Sequence, residues 1–268
     1  MSTTILPALC TSCLAPLEEG ATSCGVCGTA RPATPKSTAL ATAIPSFVRR
    51  TVNRMPVRVQ LAISIDRTGS SRPFTEGISS LCRMIFDQLK PRVAELRVSV
   101  FSHGDLQDCQ QEFLQLAGGV TAEQALADIG SITYGGGDSA DEDHLYAVDQ
   151  LLQRGDFGAS RSDRGFLVLL TTDGSHPHPH GKSAERIGQE ILARNLVMLL
   201  VGTPGPDDAR PACPRLRSLV EAAQGSFFIP ISNAPGQAEL QQVASKVAAS
   251  ISRSVNQGVA TLPMRTER

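Results

Sequence analysis

The sequence contains no tryptophan and only 4% aromatic residues. Single-stranded nucleic acid is usually held by stacking on such rings, so a base-stacking surface is disfavoured. Net charge is also scarce: 25 Lys and Arg stand against 26 Asp and Glu, which leaves -1 at pH 7. That balance supplies no broad field to attract nucleic acid or an anionic membrane. No apolar run approaches the ~18 residues that a membrane-spanning helix needs. The opening segment MSTTILPALC has no basic start and no long apolar stretch, so it is a poor signal peptide. Phosphate-loop and G-x-S-x-G signatures are missing too, and no general base is placed beside a candidate nucleophile. Lys182 follows Gly181, but without the phosphate loop. These absences argue against an enzyme. What remains, 268 residues of which 41% are hydrophobic, fits one α/β domain with a small appendage.

Cysteine is sparse but grouped. Four of the seven, Cys10, Cys13, Cys24 and Cys27, read C-T-S-C-(x10)-C-G-V-C. Two thiolates three positions apart grip one ion from a tight turn, and a second pair closes a tetrahedral Zn²⁺ site. With four protein ligands no position stays open for water, so this zinc is structural. So small a unit folds only around its metal. Cys82, Cys109 and Cys213 are scattered and odd in number, unlike an oxidised framework. The expected compartment is therefore the reducing cytoplasm. Cys82 falls on the apolar face of a helical stretch and reads as a core residue.

The expected organisation is a zinc ribbon over 8–32, a linker over 33–55, a main domain over 56–253 and a flexible tail over 254–268. The linker includes the Pro-, Ala- and Thr-rich run 32–46. Arg49, Arg50, Arg54 and Arg58 follow as a solvated basic approach. In the main domain, strand and helix patterns alternate. Strands are predicted over 57–65 (VRVQLAISI), 96–101, 166–171 (FLVLLT), 196–201 (LVMLLV) and 226–229, with a short edge strand over 112–116. Helices are predicted over 74–90, 121–129, 140–153, 183–194, 214–223 and 237–251. Continuous apolar strands suit burial on both faces. The predicted fold is a doubly wound, mostly parallel α/β sheet, in which ligands bind beyond the carboxyl ends of the strands.

Three such strand ends carry oxygen ligands. Asp66, Thr68 and Ser70 alternate after the first strand. The loop Tyr134-Gly135-Gly136-Gly137-Asp138 ends in a carboxylate. Asp173 sits in Thr171-Thr172-Asp173-Gly174 after the long buried strand. Carboxylate and hydroxyl oxygens are hard ligands suited to Mg²⁺, Mn²⁺ or Ca²⁺. Asp141, Glu142 and Asp143 are expected in the first turn of the next helix, where the dipole favours acids. The segment His176-Pro177-His178-Pro179-His180 is expected to be an exposed loop above this edge. His103 and Asp105, in F-S-H-G-D, lie near the same edge but receive no role.

These residues resemble the von Willebrand factor A (VWA) family, whose metal-ion-dependent adhesion site (MIDAS) reads D-x-S-x-S, then a Thr in a Gly-rich loop, then an Asp in a T-D-G turn. The resemblance covers roughly 56–253 and includes V-S-V-F-S for the second strand. Thr68 replaces the first Ser and keeps a hydroxyl. The middle Thr is missing, because Gly137 runs directly into Asp138. This version is similar to the VWA subgroup that includes domains attached to some α-kinases and, with the ribbon, to bacterial intracellular proteins of tellurite-resistance type. The resemblance implies a cation held by Asp66, Thr68, Ser70, Asp138 and Asp173.

It also implies a protein-binding adaptor in a bacterial stress or signalling system, with a kinase or phosphatase among its partners. An acidic residue of the partner would take the cation's open position. The alternative is a metal-dependent hydrolase or phosphoryl-transfer enzyme using the same cation. Nucleic-acid binding through the ribbon is weak, because residues 8–32 carry Arg31 against Glu18 and Glu19.

Overall fold

The alternating apolar and polar run after residue 57 becomes the centre of a sheet. In the computed structural model, β1 (Arg58–Asp66) lies between β2 (Glu95–His103) and β5 (Asp163–Leu170), parallel to both. The structure describes residues 21–23, 30, 57–106, 113–136, 141–155, 157, 163–171, 174–206, 210–232 and 234–260. The full order is β3-β2-β1-β5-β7-β8, with β7 at Val197–Gly202 and β8 at Phe227–Pro230. β3 (Leu114–Val120) is the one antiparallel member, at the edge beside β2. A mostly parallel sheet flanked by helices is therefore the architecture.

Strand side chains alternate between faces, so each face builds its own core. Leu61, Ile63 and Ile65 of β1 pack with α1 (Thr75–Leu89), α2 (Ala122–Gly130) and α6 (Gln237–Ala260). Ala62, Leu167 and Leu169 pack on the other face with α3 (His144–Arg154), α4 (Ala184–Ala193) and α5 (Pro214–Ala222). Cys82 is fully buried in the first of these cores. Thr121 caps α2 through its hydroxyl, which accepts from the Gln124 N–H at 3.3 Å. Ser183 caps α4 in the same way, accepting from Arg186. Among the described residues, no helix is long and apolar enough to cross a membrane.

Two elements depart from the pattern predicted by periodicity. The helix expected over 140–153 starts only at His144, because Asp141 and Glu142 form a two-residue strand, β4, paired with Gly174–Ser175, β6. Those acids are therefore not in a first helical turn. The tail expected from 254 is still helical: α6 continues to Ala260. Its stripe Leu240, Val243, Ala244, Val247, Ala248, Ile251 and Val255 keeps helical spacing and is buried, so packing holds the helix as far as Val255.

The chain divides into two units, Met1–Met55 and Pro56–Arg268. In the first, Ser23 and Ala30 form an isolated antiparallel bridge. Cys10, Cys13, Cys24 and Cys27 lie outside the described residues, as do Asp138 and Asp173.

Candidate metal centre

Asp66 ends β1 and sits in register with His103, the last residue of β2. Alternation turns Ser64 and Asp66 toward the face that carries α3. Just beyond the strand, Asp66 Oδ1 accepts from the Thr68 backbone N–H at 2.9 Å and from the Thr68 hydroxyl at 2.7 Å. Thr68 Oγ1 is 3.0 Å from Ser70 Oγ. The three side chains singled out by the D-x-T-x-S spacing thus converge through an Asx-type turn. Asp66 and Thr68 are buried, and Asp66 Oδ2 has no hydrogen-bond partner. A buried polar oxygen without a partner costs about 1–3 kcal/mol, and more when charged. A bound cation satisfies such an atom.

The Gly-rich loop is stitched to this turn by backbone. Gly135 N–H donates to Arg67 O at 3.0 Å, and Gly69 N–H donates to Gly136 O at 2.7 Å. A Cβ on Gly69 would come within 3.0 Å of that Gly136 oxygen, and Gly136 itself adopts φ 73°. Glycine is what lets the two strips lie so close. Thr171, which follows β5, is buried and donates its N–H to Val201 O at 3.0 Å. The described parts of all three loops therefore meet at the carboxyl edge of the sheet, although the carboxylates Asp138 and Asp173 are not among the described residues.

Beneath the edge lies a layer that the sequence did not reveal. Ser64 Oγ is 2.9 Å from His103 Nδ1, His103 Nε2 is 2.8 Å from His144 Nδ1, and His144 Nε2 is 2.5 Å from Thr171 Oγ1. The chain links β1, β2, the first residue of α3 and the end of β5. Asp66, His103 and His144 each present a ligand atom within 4.8 Å of the others, so the three form a candidate metal site. Both imidazoles are buried. Burial drives each down to about 3, helped at His103 by the Arg67 charge and at His144 by His103. They are therefore neutral at ordinary pH and keep lone pairs available. His103 stood at a strand end in the sequence, which was its only signal. His144 follows Asp141-Glu142-Asp143, and its role emerges only when β4 displaces the helix start.

The neighbouring acids are also buried rather than solvated. Glu142 and Asp105 are fully enclosed. Asp143 accepts the Leu106 N–H at 2.6 Å, and burial raises its carboxyl above the usual range. The His-Pro segment is exposed at Pro177, Pro179 and His180, as its composition suggested, but its other two histidines turn inward. His178 is buried, with Nε2 3.3 Å from Asp149 of α3, and His176 Nε2 is 3.5 Å from Asp105. Asp149 also binds Lys182, which in turn reaches Glu190 at 2.6 Å. Burial alone would lower the Lys182 ammonium, but its hydrogen bonds to Asp149 and Glu190 win and raise it. A buried acid on α3 thus pulls this loop down onto the domain. Beside it, a cleft of about 350 Å³ is lined by His178, Lys182, Glu185 and Arg215, among others.

No family model matches the chain, and no curated protein does. Solved structures match its fold. One is proximal thread matrix protein 1 from the mussel byssus with a zinc-occupied MIDAS motif, at TM-score 0.52 and 12% identity over 72% of this chain. The alignment takes in 46% of the mussel protein, so the chain corresponds to less than half of it. Another is the SpRpn10 VWA domain, at TM-score 0.50 and 13% identity over 70% of this chain and 93% of that one. At such identities the likeness establishes fold alone: the sheet and its helices are those of a VWA domain.

Proposed function

We propose that the protein binds a partner through a divalent cation held at the Asp66 edge of its VWA domain. The observation that supports this best is Asp66 Oδ2, buried without a partner next to a turn that gathers Thr68 and Ser70. Carboxylate and hydroxyl donors of this kind fit a divalent cation, for which Mg²⁺, Mn²⁺ or Ca²⁺ is the oxygen-ligated choice. Asp138 and Asp173 would complete the shell from the other two loops. One open coordination position would accept a carboxylate of the partner. The matched mussel structure has zinc in its MIDAS, which is consistent with a cation at the equivalent edge here.

The four-cysteine unit would hold a structural Zn²⁺ and offer a second docking surface. Together these features suit an intracellular bacterial adaptor in a stress or signalling system, with a kinase or phosphatase as partner. No role in catalysis is proposed.

The test is affinity capture with the wild type and Asp66→Ala, each in Mg²⁺, in EDTA, and in EDTA followed by Mg²⁺ re-addition. The expected result is a specific protein retained only by the wild type with Mg²⁺ and recovered on re-addition. Retention that ignores both the substitution and the chelator would remove the cation from the account.

A further inference from the structure

We propose that the cation at the Asp66 edge is a borderline d-block ion of the zinc class, ligated by Asp66, His103 and His144, rather than a magnesium-class ion held by oxygen alone. The inference rests on the presence of a cation at Asp66 proposed above and replaces the ion class and the oxygen-only ligand set given there. Its basis is the position of two imidazoles where an oxygen-only site needs none. Their ligand atoms and that of Asp66 lie within 4.8 Å of one another, all three side chains are buried, and Asp66 Oδ2 lacks a partner. Imidazole nitrogen suits zinc and its neighbours, whereas Mg²⁺ and Ca²⁺ favour oxygen and water.

The surroundings of the two rings fit ligation. A metal-bound histidine normally donates its other N–H to a fixed acceptor, which sets the tautomer. Here both outer nitrogens already sit on hydroxyls, His103 Nδ1 on Ser64 and His144 Nε2 on Thr171. The inner nitrogens, His103 Nε2 and His144 Nδ1, face each other at 2.8 Å with ring centroids 5.0 Å apart. That is the spacing of a shared proton. Two nitrogens of a tetrahedral zinc ion stand roughly 3.4 Å apart, given ligand distances of about 2.0–2.1 Å. Binding therefore opens the pair by about 0.6 Å.

The proton count closes without release to solvent. Two neutral imidazoles carry two N–H protons before and after binding. The proton between the rings moves to an outer nitrogen, the hydroxyl there switches from donor to acceptor, and both inner lone pairs turn to the ion. Two imidazoles and one carboxylate make three protein ligands, which leaves a fourth position for water.

The experiment uses the full chain with its cysteine unit first filled by one equivalent of Zn²⁺. Co²⁺ and Mg²⁺ are then titrated separately into the wild type, His144→Gln, His103→Asn and Asp66→Asn. The expected result is Co²⁺ binding at least tenfold tighter than Mg²⁺. Either histidine substitution should cut Co²⁺ affinity tenfold or more and leave Mg²⁺ affinity within threefold. Pulsed electron paramagnetic resonance of Mn²⁺-loaded wild type should show imidazole nitrogen coupling, a readout that needs no variant to fold. Cation affinity indifferent to both histidines, without nitrogen coupling but lost in Asp66→Asn, overturns the nitrogen ligands and leaves the oxygen-ligated cation standing. No binding of any cation overturns both.

Discussion

His103 and His144 meet nitrogen to nitrogen at 2.8 Å, one at the end of β2 and the other at the start of α3, 41 residues apart in sequence. Each is fully enclosed, and burial holds each imidazole down to about 3. The folded state therefore resists protonation that the unfolded chain accepts at about 6.5. The folded values are depressed, so this contribution is fully present above pH 6.5. It is lost as pH falls from about 6.5 toward about 3, at about 1.4 kcal/mol per pH unit for each ring. Urea unfolding between pH 7 and pH 5 should show this decline, and the slope should be shallower in His144→Gln. An identical slope in the variant would mean that the ring is not the group being protonated.

The Thr68 hydroxyl joins Asp66 Oδ1 to Ser70 Oγ. Thr68→Val preserves shape but deletes that oxygen. Calorimetric Mg²⁺ affinity should fall several-fold, and loss of a hydroxyl that donates to a buried carboxylate should also lower stability by about 1–3 kcal/mol. Unchanged affinity would remove Thr68 from the ligand set.

Asp149 is buried on α3 and binds His178, Lys182 and Gln153, the last at 2.9 Å. Asp149→Ala removes the acceptor for Lys182 and Gln153 and the acid beside His178, and should cost about 1 kcal/mol. It should also loosen the 176–182 loop, which faster tryptic cleavage after Lys182 would report. Cleavage at the wild-type rate would mean that the loop is held by its prolines instead.

Gly188 marks the contact of α4 with α5. A Cβ there would lie 2.6 Å from Ala222 Cβ and 2.8 Å from Leu219 O. Gly188→Ala should therefore destabilise by about 1–3 kcal/mol through overpacking, read by thermal or urea unfolding. Cation affinity should stay at the wild-type level, because the contact is remote from Asp66 in the chain and belongs to the helix layer.

Much of this molecule was legible in its residues, for local reasons. FLVLLT is apolar on both sides of the pleat, and VRVQLAISI is apolar on one; they became β5 and β1 at the centre of the sheet. The D-x-T-x-S spacing predicted a convergent turn, and Asp66, Thr68 and Ser70 form one. What stayed hidden depended on pairing across distance. Asp141 and Glu142 looked like helix-starting acids, yet their backbones pair with Gly174 and Ser175. That pairing moves the helix start to His144 and points its ring at His103. A Pro-stiffened run of histidines looked solvated, but its binding to Asp149 comes from a helix that lies earlier in the chain. Single histidines carry no periodic signature, so their meeting beneath the sheet edge is visible only in three dimensions.

The central claim is that a divalent cation is held by Asp66. Isothermal titration of Mn²⁺ into wild type and Asp66→Asn, each with its cysteine unit first filled by one equivalent of Zn²⁺, tests it most directly, since Mn²⁺ competes poorly for those thiolates. One Mn²⁺ site is expected in the wild type, with at least a tenfold loss, about 1.4 kcal/mol, in a folded Asp66→Asn. Equal Mn²⁺ binding by the two proteins would contradict it.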